Sequence, residues 1–104
     1  MDEEKLKKEI KELIYYNERE INKLKIVFEE LQPQFKDLKE KNKDLFDLLN
    51  SYFCDLLYFY KKGEIIKTFE LSNYIWGYLD CLANLKIIKP NKKIKRWFKV
   101  ERDY

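Results

Sequence analysis

Residues 51–67 read SYFCDLLYFYKKGEIIK, and the fold turns on the step Lys62-Gly63-Glu64 near their end. Gly63 suits the left-handed position that follows a helix, and Lys61 and Lys62 sit favourably beside its carbonyl end. The run before it, SYFCDLLYFY, is apolar nearly all round. A helix greasy on every side must be covered on every side, by the rest of a bundle or by another chain. A third helix follows from about residue 64 to residue 86, before Pro90 and Asn91. The spacing thus predicts an antiparallel hairpin of helices over about residues 35–61 and 64–86. In that hairpin Gly77 falls beside Leu49 and near Tyr52 and Phe53. A glycine inside a helix costs roughly 1 kcal/mol against alanine, so it is expected to mark a close helix crossing.

Upstream, nothing breaks a helix from Glu3 to Gln32. Ile10, Ile14, Asn17, Ile21, Leu24, Phe28 and Leu31 alternate steps of four and three, a heptad seam with one polar member. Pairs such as Glu3–Lys7 and Glu4–Lys8, acid first, support its outer face. A helix of this length runs roughly 40 Å, more than a short hairpin covers, so the seam is the candidate oligomer contact. Pro33 lacks the amide hydrogen and disfavours helical geometry at Gln32; a tight reversal is expected there, with a kinked continuous helix as the alternative. The seven-residue count continues beyond it through Phe35, Leu38, Asn42, Leu45 and Leu49. Asn17 and Asn42 read as register-setting polar members of the seam or as exposed positions at its frayed ends.

The fold class is therefore all-α: three long helices, the first over about residues 3–32, followed by an extended basic C-terminal tail. Residues 1–88 form the bundle domain and residues 89–104 the tail. The chain has 104 residues, 45% apolar, with two glycines and two prolines, too few turn residues for a many-stranded β fold. No apolar run reaches the roughly 18 to 20 residues that span a bilayer, and MDEEKLKKE does not resemble a secretory leader, so a cytoplasmic location is expected. Cys54 and Cys81 are then expected as buried thiols rather than a disulfide.

The residue types argue against several chemistries. The chain contains no histidine, which removes the usual general base and the Cys–His pair. Two cysteines without a Cys-X-X-Cys spacing make no zinc site, and two isolated glycines build neither a phosphate loop nor a dinucleotide fingerprint. Asp55 and Asp80 are separated by roughly 13 Å along the hairpin, beyond the 5 to 9.5 Å of paired catalytic carboxylates. No catalytic, cofactor or metal residue is assigned, and the reading points away from an enzyme. The eight tyrosines and seven phenylalanines fall mostly at helical spacing and read as core.

The segment from Tyr52 to Ile88 resembles a family of short archaeal proteins, domain-of-unknown-function family 357. The residues that carry the likeness are Tyr52, Asp55, Phe59, Lys62-Gly63, Phe69, Tyr74, Gly77, Leu79-Asp80 and Leu85. The chain departs from the family pattern at Trp76, often histidine in relatives, and at Lys86, where a glycine is expected. The resemblance implies a helical bundle and brings no activity.

The tail is the remaining candidate. Residues 86–104 hold eight Lys/Arg against two acids, whereas residues 1–85 hold fourteen against seventeen. Lys92, Lys93, Lys95, Arg96, Trp97 and Lys99 combine cations with an aromatic, a composition suited to nucleic-acid backbones and bases. The same composition suits a strap whose Trp97 and Phe98 cover the bundle while the lysines face water, or a membrane-surface contact. Expected partners are a second copy of the chain, most simply as a dimer, or another protein; nucleic acid is the alternative.

Overall fold

The structure is a computed structural model that describes residues 2–98. Among these it is all-α: α1 Glu3–Glu30, α2 Gln32–Lys41, α3 Lys43–Lys61, α4 Ile65–Asn84 and a 3-10 turn Lys95–Trp97. The Asp2 carboxylate accepts from the Glu4 amide and starts α1, and Glu3 and Glu4 stand at the positive end of its dipole. With 28 residues, α1 is about 42 Å long.

Pro33 breaks the helix as expected, but the reversal is not made there. It lies in the first turn of α2, where a missing amide hydrogen leaves no bond unmade. The joint is Leu31 alone, at φ −92°, ψ 2°, and helical bonds continue on both sides (Leu31 N–H to the Val27 carbonyl, Phe35 N–H to the Leu31 carbonyl). One residue is shorter than the two to five that join antiparallel helices. The chain turns a corner instead, and the rings of Phe28 and Phe35 close it at 5.2 Å. In a straight helix those two positions lie about 10 Å apart along the axis.

The helix expected over residues 35–61 is two helices. Asn42, at φ −150° and ψ 83°, ends α2 and caps α3, its side chain accepting from the Leu45 amide at 3.3 Å. Asparagine is among the best N-caps, so the seam reading of Asn42 gives way to local chemistry. Three long helices become four.

The α3–α4 hairpin forms as expected. Gly63 takes φ +76°; its amide donates to the Tyr60 carbonyl and that of Glu64 to the Phe59 carbonyl, which closes the turn. The rings of Tyr52 and Tyr74 meet across the pair at 6.3 Å, and the Tyr78 hydroxyl donates to the Leu45 carbonyl at 3.0 Å. Thr68, Ser72, Ile75, Leu79 and Leu82 form the buried stripe of α4. They meet Ile21, Leu24, Val27 and Phe28 of α1 together with Leu49 and Leu56 of α3 in one core. Each such aliphatic or aromatic side chain contributes about 1.5–3 kcal/mol on burial.

α1 and α4 run in the same sense. Asn17 donates to the Ile65 carbonyl at the start of α4, and Gln34 exchanges hydrogen bonds with the Lys89 backbone just past its end. Residues 3–13 of α1 therefore project beyond the bundle as an arm.

Beyond α4 the chain does not run extended. Lys86 takes φ +62°, its amide donating to the Ala83 carbonyl and that of Ile87 to the Leu82 carbonyl. A turn on Asn91 and the 3-10 turn follow, and Ile88, Ile94 and Phe98 are buried in the core. This is the strap arrangement: apolar side chains inward, lysines outward.

Candidate interaction surfaces

The heptad seam divides at Asn17. Ile21, Leu24, Phe28 and Leu31 are buried by the chain's own helices, so this part of the predicted oligomer contact is spent inside one molecule. Ile10 and Ile14 stay 43% and 46% exposed, joined by Leu6 at 43%. The reason is length: α4 begins at the level of Asn17 and leaves the arm uncovered.

A groove of about 550 Å³ opens where the arm leaves the bundle, lined by Ile14, Asn17, Tyr60, Gly63, Ile65 and Thr68 among others. Asn17 is 3% exposed. Its amide nitrogen is satisfied by Ile65, while its Oδ1 has no hydrogen-bond partner.

Of the family-motif residues, Phe59 is half-buried against Lys67, and Asp55 lies exposed on α3. Phe69 packs on Tyr16 at 5.4 Å, and Asp80 is half-buried on α4. Gly77 does not mark a close approach within the chain. It is exposed, and no atom lies within 4 Å of where a Cβ would stand. Around it the outward ridge of α4 carries Ile66, Glu70, Asn73, Gly77, Cys81 and Asn84, with Tyr74 and the capping Leu85 beside it. Ile66, Tyr74 and Leu85 are 62%, 59% and 61% exposed.

Both thiols are free and exposed, not buried as expected. They lie on outward faces of α3 and α4, whose apolar runs extend past the stripe the core uses. The tyrosines divide in the same way: Tyr15, Tyr58, Tyr60 and Tyr74 face outward. Burial raises the Tyr78 hydroxyl above the ordinary tyrosine range, with Tyr52 and Cys81 adding to the shift.

In the tail, Lys92, Lys93, Lys95 and Arg96 are exposed and Trp97 is half-buried; Lys99 lies outside the described residues. Lys93 pairs with Glu30 at 3.8 Å. Trp97 lies against α1, with Lys23 and Arg96 over its ring at 5.9 and 5.2 Å. It closes a shallow groove with Tyr15, Glu18, Arg19 and Lys23. Sequence reasoning missed Glu20, a buried carboxylate held by Arg19 at 2.9 Å and Lys23 at 3.3 Å. The hydrogen bond from Arg19 pushes that guanidinium's pKa further up. The signal was present as an acid flanked by cations one residue before and three after.

Among the described residues no three metal-ligating side chains cluster, and no helix is long and apolar enough to cross a membrane. What the geometry offers is exposed apolar helix surface. No curated protein and no solved structure matches the chain. A family model described as a protein of unknown function, DUF357, matches residues 15–88. That match spans α1 from Tyr15 through the end of α4 and the buried Ile88, most of the helical body just described, and the chain belongs to this family.

Proposed function

We propose that the protein is a non-enzymatic helical interaction module that self-associates, most simply as a dimer. The observation that carries this reading is the set of large apolar side chains left outside the core, Leu6, Ile10 and Ile14 at helical spacing on the α1 arm and Ile66, Phe69 and Tyr74 on α4. Contiguous exposed apolar surface marks association sites, because covering it releases the same hydration free energy that drives folding. Light scattering over a concentration series tests the reading. The expected result is a mass that rises from one chain to two; one chain throughout would refute it.

A second reading, nucleic-acid binding through the tail, is favoured by the exposed cations gathered round Trp97. It predicts binding to single-stranded RNA or DNA that weakens steeply with salt. Reversing the charges of Lys92, Lys93, Lys95 and Arg96 together should abolish it, and unchanged binding would rule it out.

A further inference from the structure

Two apolar faces could receive a second copy of the chain, and the charges around them differ. On the arm, Glu4, Lys7, Lys8 and Lys11 gather beside Ile10 on one side of the Leu6–Ile10–Ile14 stripe, three cations to one acid. An antiparallel pair of arms would set these lysines beside the partner's own, and like charges brought together across a contact cost affinity. A parallel pair would drive each arm towards the α3–α4 turn and α4, which occupy the same face from Asn17 onward.

The α4 face is different. In a chain that is 39% charged, the exposed positions of α4 between Asn73 and Asn84 are Asn73, Tyr74, Gly77, Cys81 and Asn84, none of them charged. Large apolar groups stand at both ends, Ile66 and Leu85. Gly77 lies midway, with open space above it. Among the ridge residues the one charge is Glu70, with half-buried Asp80 beside the face. A face so sparsely charged on a densely charged molecule is matched best by another of the same kind, and its own copy supplies one.

We infer that a second copy of this chain docks on α4, helix against helix and antiparallel, about a two-fold axis through Gly77. The inference rests on the self-association reading above and names its contact. The axis sets Glu70 opposite the partner's Asn84 and Asn73 opposite the partner's Cys81. No like charges face each other along the ridge. Gly77 meets the partner's Gly77, and the missing side chains let the two backbones come close, as small residues do wherever helices cross tightly. With 20 residues α4 is about 30 Å long. A strip about 20 Å wide along it, including its flanks, covers about 600 Å² per partner, below the roughly 800 Å² of a standard complex. The dimer is accordingly a dissociable one.

Gly77→Glu tests the contact without threatening the fold. The position has room for a side chain, and glutamate is a better helix former than glycine. Circular dichroism and thermal melting of the dilute variant should match or exceed the parent, while its dimer dissociation constant rises at least about 100-fold. A second test places Asn73→Cys on a Cys54→Ser background. The introduced thiol and Cys81 lie about 12 Å apart along one helix, too far to bond within a chain, so mild oxidation should give a disulfide-linked dimer between them. A dimer that survives Gly77→Glu but is lost in Ile10→Asp overturns the α4 contact and leaves self-association standing. A dimer that survives both variants, or one cross-linked through Cys81 to Cys81, overturns the contact as well. A parent that stays a single chain at every concentration overturns both.

Discussion

Gly63 and Lys86 hold equivalent places, one after α3 and the other after α4. Each takes a left-handed backbone and closes its helix with the same pair of bonds, to the second and third carbonyls from the helix end. Glycine adopts that conformation freely; a lysine does so against a steric cost of roughly 1–2 kcal/mol. The glycine that the family pattern places after Leu85 would fall on this very position. Gly77 is the converse, a glycine where a side chain has room. Gly77→Ala and Lys86→Gly are each expected to raise stability by about 0.5–1 kcal/mol, read from urea unfolding at concentrations where the chain is monomeric. The role of Gly63 was legible because a turn carries its own local chemistry. That of Gly77 was not: a helix-interior glycine shows that a side chain was dispensable, not which neighbour makes use of the space.

At the level of helices, periodicity recovered the buried stripes but not the joints. Tyr52 meets Tyr74 because both stand equally far in sequence from the turn at Gly63, which was legible as the hairpin's reversal. Asn42 stayed hidden because it falls in step with the seven-residue count, and a cap that keeps the count looks like a polar seam member. The arm was misread for a related reason: the seam from Ile10 to Leu31 is continuous in sequence, while its cover, α4, begins only at Asn17. The strap was partly legible through Trp97 and Phe98, whereas its buried Ile94 was not singled out and its turns were read as an extended run. Because Phe98 is fully buried and stacks edge-on against Trp76 at 5.8 Å, Phe98→Ala should cost about 3–5 kcal/mol in chemical unfolding. A loss under 1 kcal/mol would mean that the strap is not part of the core.

At the scale of the molecule, the described residues form an elongated body, 50 × 31 × 19 Å, whose core is sealed by residues far apart in the chain. Trp97 lies on α1, Gln34 holds Lys89, and Glu30 meets Lys93. The candidate surfaces were the least legible feature at this scale. Apolar patterning identifies which residues avoid water, and only the packed arrangement separates those already covered from those still bare. The burial of Phe98 has a consequence for biosynthesis. While that ring is still inside the ribosomal tunnel, the emerged helices lack the last piece of their interior, so the native packing waits until Phe98 itself has emerged.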